Sequence, residues 1–275
     1  MADHLAFTPD LYGGAHINSA SLPPSPEAFS SALRSSLAAW RSEGVRGVWL
    51  TLPLALCTHI PPAVEAGFAY RHATPASLTL THWLDDSSPC QLPSAPHTAV
   101  GVGAFLLNAA GELLVVQERR GPAARPGLWK LPTGLVDRGE DVAAAAVREV
   151  LEETGVEAVF DSVVGFRHLH ALAPFANCDL FFLCVLRLKD AERTELRAQP
   201  SEIAACAWMR LSEFEQQAHV RDKSTVLGHL HDLCVKVTTS GGQDPSPPVI
   251  KPRLLPSHYA GAPPCVVFSP EGAEK

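Results

Sequence analysis

Residues 134–156 read GLVDRGEDVAAAAVREVLEETGV, a glycine-bracketed turn that runs into an alanine-rich segment with a cluster of glutamates. The pattern predicts a helix from about Asp141 to Thr154, closed by Gly155. At about 100° per residue, Glu149, Glu152 and Glu153 share one side of that helix, and Val147 and Leu151 point the other way. Three carboxylates so placed repel one another and cost helix stability unless a divalent cation neutralises them. An all-oxygen donor set suits Mg2+ or Mn2+, whereas zinc would call for Cys or His. Arg148 sits beside the cluster, and Glu140 precedes it at the helix start. An ion pair between them would orient the acidic helix. Gly134 and Gly139 bracket the turn, where a bare backbone lets a metal or a phosphate approach and offers it carbonyl and N–H groups.

Outward from this segment, HTAVGVGAFLLN (97–108), the turn AAG (109–111) and ELLVVQER (112–119) read as a β-hairpin of two half-buried strands. RRGPAARPG (119–127) is a loop, LWKLPTG (128–134) a short strand. Further strands are expected near Ala158 to His170, Asp179 to Leu188 and Ala204 to Leu211, with helices near Ser212 to Gln217 and Ser224 to Val237. The class is α+β. Upstream, Phe29, Leu33, Leu37 and Trp40 recur at helical spacing up to Gly44, followed by strands at Val45 to Leu54 and Ser77 to Leu84 around a short helix. The expected organisation is an irregular lead-in (1–26), a small amino-terminal α/β domain (27–84), a Ser/Pro linker (85–96), a larger strand-rich domain (97–238) and a Pro/Gly-rich tail without regular structure (239–275).

Composition narrows the class. Of the 275 residues, 46% are hydrophobic and 19% charged, which excludes wholesale disorder and collagen-like fibre. A formal charge of −7 disfavours a surface devoted to nucleic acid or anionic membrane, so a polyanionic substrate has to be met by local cations or a metal. The seven cysteines are scattered, with no C-x2-C pair, as in a reduced compartment. The apolar run Val48 to Cys57 is about half of the ~20 residues a spanning helix needs, and MADHLAFTPD lacks the basic cluster and apolar run of a secretory signal. The expected location is cytoplasmic, with no membrane partner.

The pattern G-x5-E-x7-R-E-V-x-E-E-x-G-V is filled at all nine fixed positions, Gly134, Glu140, Arg148, Glu149, Val150, Glu152, Glu153, Gly155 and Val156. It is identified as the Nudix box of the Nudix hydrolase superfamily. LLVVQE, GLWKLPTG, FRHLH, DLFFLCVLR and ACAWM, with RGVWLTLP, AGFAYRHA and THWL before the box domain, resemble plant Nudix hydrolases of the ADP-ribose/NADH pyrophosphatase type and their animal relative, the growth-factor-antisense Nudix protein. The resemblance covers about residues 28 to 235. It implies an α/β/α sandwich, an acetyltransferase-like small domain in front of it, a divalent cation and a homodimer. It further implies metal-dependent hydrolysis of the pyrophosphate in a nucleoside diphosphate linked to another moiety: ADP-ribose or NADH, releasing AMP, with CoA or dinucleoside polyphosphates as alternative substrates. A nucleotide-sensing scaffold without turnover is the competing class. Carried over residue by residue, Glu149 and Glu153 are metal ligands, with Glu152 in the same shell and backbone oxygen from the Gly134 region. Arg148 belongs to the catalytic set, and Glu140 supports it.

A later-loop glutamate acting as base or ligand falls on Glu202, with Glu192 and Glu195 as alternatives. For substrate contacts the candidates are Trp129, as a stacking surface or as core, Lys130 and Arg167 for phosphates, and His168, which alternates with His170 on one strand face. Arg119, Arg120 and Arg125 make a local basic loop before LWKLPTG.

Overall fold

The computed structural model describes residues 4–93, 97–121, 123–172, 177–222, 226–239, 250–255 and 265–270. The chain divides into two compact units, Met1–Pro96 and His97–Lys275. Among the described residues no helix is long and apolar enough to cross a membrane.

The amino-terminal unit comprises β1 (Phe7–Pro9), β2 (Ala15–Ile17), α1 (Pro26–Ser42), β3 (Gly47–Pro53), α2 (Ile60–Glu65), β4 (Ala69–Ala73) and β5 (Ser77–Trp83), with sheet order β1-β2-β3-β5-β4. Ser25 caps α1 by accepting the Ala28 N–H at 3.1 Å, with Pro26 in the first turn where its missing N–H costs nothing. Phe29, Leu33 and Trp40 form the buried row of α1 and pack on Val48, Leu50, Leu52 and Leu80, the inward residues of alternating strands. The lead-in expected to be irregular is corrected here: it contributes β1 and β2, and β2 pairs parallel to β3 through Ala15↔Val48 and Ile17↔Leu50. Leu5 and Ile17 are buried in the same core. Strands of three residues are too short to display an alternation, which is why the sequence pattern misses them.

The second unit runs β6 (Thr98–Leu107), β7 (Glu112–Glu118), β8 (Thr133–Leu135), α3 (Val142–Thr154), β9 (Ala158–Leu172), β10 (Asn177–Leu188), β11 (Ile203–Arg210), the single turns α4 (Leu211–Phe214) and α5 (Ala218–Arg221), α6 (Val226–Thr239), β12 (Ile250–Leu255) and β13 (Cys265–Pro270). Its strands lie in the order β11-β7-β6-β10-β9-β12-β13, with β8 against β6 and β6 parallel to β10. Val102, Ala104 and Leu106 face Ala145, Ala146 and Val150 of α3, while Phe105, Leu113 and Val115 face Leu230 and Cys234 of α6. One strand thus supplies two cores by period-two alternation, giving a helix/sheet/helix sandwich.

Two elements depart from the sequence reading. The expected hairpin is joined only at its tip, Leu107↔Leu113, because residues 130–135 wedge between its arms. Lys130 pairs with Val116 in both directions (2.8 and 3.0 Å), and Thr133 and Leu135 pair with Gly103 and Gly101. Pro132, which has no N–H to give, interrupts the strand expected over Leu128 to Gly134; its carbonyl still accepts from Ala104 at 2.9 Å. The tail is also not wholly irregular. β12 and β13 pair antiparallel, and Ile250 joins Val163 on β9.

Candidate active site

The helix α3 begins after Asp141 and stops at Gly155, whose φ of 74° is the left-handed conformation that suits glycine. Its buried side is Ala145, Ala146, Val150, Glu153 and Thr154. The acidic face of the sequence reading therefore turns toward the sheet and is not uniform. Glu153 lies within the buried row at 5% exposure, whereas Glu152 is half exposed, and Leu151, opposite them, is 47% exposed. The wedge at 130–135 opens a gap in the sheet beside this carboxylate.

Arg148 organises the exposed part of the cluster. Its Nε and Nη2 donate to the two Glu140 oxygens, both at 2.8 Å, and Nη2 also donates to the Leu135 carbonyl at 2.9 Å. Nη1 donates to Glu149 at 2.8 Å and to Glu152 at 3.0 Å. The paired fork holds the Glu140 carboxyl below its usual range, and the same contact raises the guanidinium's pKa. Glu140 in turn accepts the Asp137 N–H at 3.0 Å, which ties the turn to the helix.

At Gly134 an added methyl group would overlap the Glu149 carboxylate, so a side chain there would displace that carboxylate. The bare backbone lets that carboxylate lie on β8, and burial pushes its pKa up, with Glu152 and Glu202 adding repulsion. Glu153 is shifted further. Burial is the largest cause, the Lys130 charge and a bond from the Thr133 N–H act against it, and its pKa reaches about 8. Glu153 Oε2 is buried without a hydrogen-bond partner among the described residues.

On the far side of the wedge lies a cavity of about 300 Å3, lined by Glu118, Lys130, Thr133, Arg167 and Phe181 at its polar part and by Phe214, Leu227 and Leu230 at its apolar part. Arg167 stacks over the Phe181 ring at 4.7 Å and donates to Asp179 at 3.2 Å, yet among the described residues its buried Nε has no partner. His219, at the wall, has its pKa lowered by burial. Gly103 is bare for the sake of this wall, since a Cβ there would come within 2.5 Å of the Phe181 ring.

The predicted residues are partly brought together. Glu149, Glu152, Glu153, Arg148, Glu140 and Gly134 form one network, and the charge of Glu202, exposed before β11, reaches Glu149. Glu192 and Glu195 stay exposed after β10. Lys130 and Arg167 line the cavity. Trp129 does not: its backbone is clasped by Gln217 at 2.8 and 3.0 Å, and its ring packs against the core under α6. His168 is exposed and alternates with Arg167, so it lies on the opposite face of the sheet from the cavity. Sequence reasoning missed Glu118, Thr133, Asp179 and Phe181. The signal for Glu118 was present, a carboxylate continuing the apolar row Leu114, Val116.

A helix with a buried carboxylate, a glycine on the neighbouring strand and a cavity lie together here. The Nudix hydrolase domain description matches residues 5–84, and the NUDIX domain description residues 97–229. The chain belongs to the Nudix hydrolase family. It is 45% identical to Nudix hydrolase 8 of Arabidopsis thaliana over 77% of this chain and 56% of that protein. With Nudix hydrolase 2 of the same plant it is 42% identical over 82% of this chain and 78% of that one. With human nucleoside diphosphate-linked moiety X motif 6 it is 37% identical over 74% and 64% of the two chains.

Nudix hydrolases generally use divalent cations. Among the described residues no three His, Cys, Asp or Glu side chains converge on one point, because Glu149 and Glu152 turn to Arg148. The donor chemistry nevertheless fits a hard cation: the buried Glu153 oxygen lacks a partner, the Glu149 carboxylate lies on Gly134, and all the donors are oxygens.

Proposed function

We propose that the second unit hydrolyses the pyrophosphate bond of a nucleoside diphosphate linked to another moiety, with ADP-ribose or NADH as substrate and AMP as product. The observation that carries this reading is the buried carboxylate oxygen of Glu153, unpaired among the described residues, together with a cavity whose cation Arg167 has an Nε likewise unpaired among them. Buried polar groups are left unpaired at a cost of about 1–3 kcal/mol, which a ligand or a cation repays by binding there.

The cation, Mg2+ or Mn2+, would be held by Glu149, Glu153, Glu152 and the Gly134 backbone, and it supplies charge neutralisation at the phosphates. The chain's own residues do the rest. Arg148 and Glu140 fix the helix so that Glu149 stays on Gly134. Arg167, stacked on Phe181 and braced by Asp179, receives the polar part of the linked moiety. Phe214, Leu227 and Leu230 receive its apolar part. A water oxygen bonds to one phosphorus as the bridging P–O bond breaks. Glu202 takes the water's proton, and the bridging oxygen leaves on the second phosphate.

The test is mass-spectrometric product analysis with ADP-ribose, NADH, CoA and diadenosine polyphosphates, with Mg2+ and then Mn2+. Metal-dependent release of AMP, fastest from ADP-ribose or NADH, is the expected result. Preferred cleavage of CoA or a dinucleoside polyphosphate would overturn the substrate assignment, and binding without any turnover would overturn the hydrolytic one.

A further inference from the structure

Lys130 is fixed before its side chain is considered, because its backbone pairs with Val116 in both directions. Its ammonium bonds Glu118 Oε1 at 2.5 Å and Thr133 Oγ1 at 2.5 Å. Both ends of the Lys130–Glu118 pair are largely buried, at 18% and 26% side-chain exposure. Glu153 is close enough for the Lys130 charge to act on it, and it takes the Thr133 N–H. Yet Glu153 Oε2 remains without a partner.

That arrangement is unusual on electrostatic grounds. An ammonium beside a buried carboxylate in a low-dielectric setting gains more from contact than it would in water. Lys130 has a flexible four-carbon stem and three donors, and its ammonium is engaged by Glu118 and Thr133. What opposes the contact is a competing carboxylate, Glu118, at the end of β7, assisted by the Thr133 hydroxyl. An ammonium and a divalent cation compete for the same carboxylate. If Lys130 collapsed onto Glu153, the oxygen left unpaired here would be consumed by the protein itself.

We propose that Glu118 is a positioning residue that holds the Lys130 ammonium away from Glu153, keeping that buried carboxylate available to a divalent cation. The inference rests on the metal-dependent reading above. It assigns Glu118 a role that neither the acidic helix nor the cavity requires of it, and it makes a prediction of opposite sign for two adjacent charges. Removing the acid weakens metal binding, and removing the base as well restores it.

The experiment is Mn2+ binding to the full chain, followed by the electron paramagnetic resonance signal of the free ion, for the wild type, Glu118→Ala, Lys130→Ala and the double variant. Thermal unfolding of each reports whether it is folded. Glu118→Ala is expected to weaken Mn2+ binding about tenfold or more, the scale of a lost outer partner of a ligand. Lys130→Ala is expected to bind at least as tightly as wild type, and the double variant to return close to it. Unchanged binding in Glu118→Ala overturns the proposal. So does a double variant as weak as Glu118→Ala, which would make Glu118 a ligand in its own right. A crystal structure of metal-free Glu118→Ala gives an answer independent of the metal-dependent reading, even if the wild type binds no Mn2+. Lys130 in contact with Glu153 supports the proposal, and Lys130 still off it overturns it.

Discussion

Among the described residues of the amino-terminal unit no buried side-chain nitrogen or oxygen lacks a hydrogen-bond partner. Ser36 accepts the Leu5 N–H at 2.8 Å and donates to Ala32 at 2.7 Å, and His59 meets the Pro23 carbonyl at 2.7 Å. Even the cations and acids around that unit's cavity, beside Trp49 and Trp83, are spoken for: Arg46 bonds Gln91 at 2.9 Å and faces Asp85 at 3.5 Å, and Asp10 faces His16 at 3.2 Å. In the second unit Glu153 Oε2 and Arg167 Nε are buried without a hydrogen-bond partner among the described residues. Aromatic rings and a cavity are present in both units, so neither feature marks the site. The unpaired polar atoms do, because a buried polar group that the protein leaves without a partner offers a place for an ion, a water or a ligand to complete it.

The sharpest way to break this contrast is Glu153→Gln. Turnover should fall by more than the roughly 10–100-fold typical of losing an outer partner of a metal ligand, measured as kcat/KM in a folded variant. Stability should move the other way. A carboxyl whose pKa rises from 4.5 to about 8 on folding holds its proton more tightly in the folded protein. The metal-free unit therefore has its full stability below about 4.5 and loses it as the pH climbs through about 8. Thermal melts of metal-free wild type should show that loss and those of Glu153→Gln should not. A wild-type Tm equal at pH 5 and pH 9 would contradict the burial of this carboxyl. Gly134→Ala comes next, since the added methyl collides with Glu149. A misplaced group of this kind costs roughly a hundredfold in rate, and unchanged kinetics would remove Glu149 from its seat on β8.

The box helix was legible because its signals are local: a cap position, a period of 3.6, a closing glycine and charges at fixed spacing. Its orientation was not. Spacing alone puts Glu149, Glu152 and Glu153 on one side, but whether that side meets water or the sheet depends on residues 130–135, which arrive from a loop. The same wedge turned the expected hairpin into a splayed pair and gave Glu118 its neighbour. Arg167 was identified as a charge on a strand, whereas its partners Asp179 and Phe181 come from β10 through a register no sequence pattern specifies. Trp129 and His168 failed to join the cavity for a related reason. A strand residue's face is fixed by alternation, but which face carries the cavity is a tertiary fact.

Glu140→Gln sharpens the comparison within the site, because Glu140 is fully paired where Glu153 is not. Losing one arm of the Arg148 fork should lower kcat/KM by about tenfold, less than Glu153→Gln, with a small drop in Tm. A loss as complete as that of Glu153→Gln would place Glu140 against the cation itself. For Arg167→Gln the expected signature is a KM raised by more than kcat is lowered, as when binding rather than chemistry is removed. A pure kcat defect would move Arg167 out of the cavity's recognition role.

The smallest effect tests the other side of the contrast. His82, on β5, packs beside the Phe68 ring at 5.5 Å and leaves no room for a side chain at Gly67. Burial lowers its pKa from 6.5, with Arg41 adding repulsion, while the Gly67 backbone and Asp86 act against the shift. The unfolded chain then takes up the proton first, so the stability linked to this group is complete above about 6.5 and declines as the pH falls below it. His82→Gln should flatten that decline in the melting of the amino-terminal unit while leaving the steeper alkaline loss, which belongs to Glu153, in place. If one substitution abolished both slopes, the two units would not be separate in their electrostatics, and the contrast between a satisfied domain and an unsatisfied one would fail at its base.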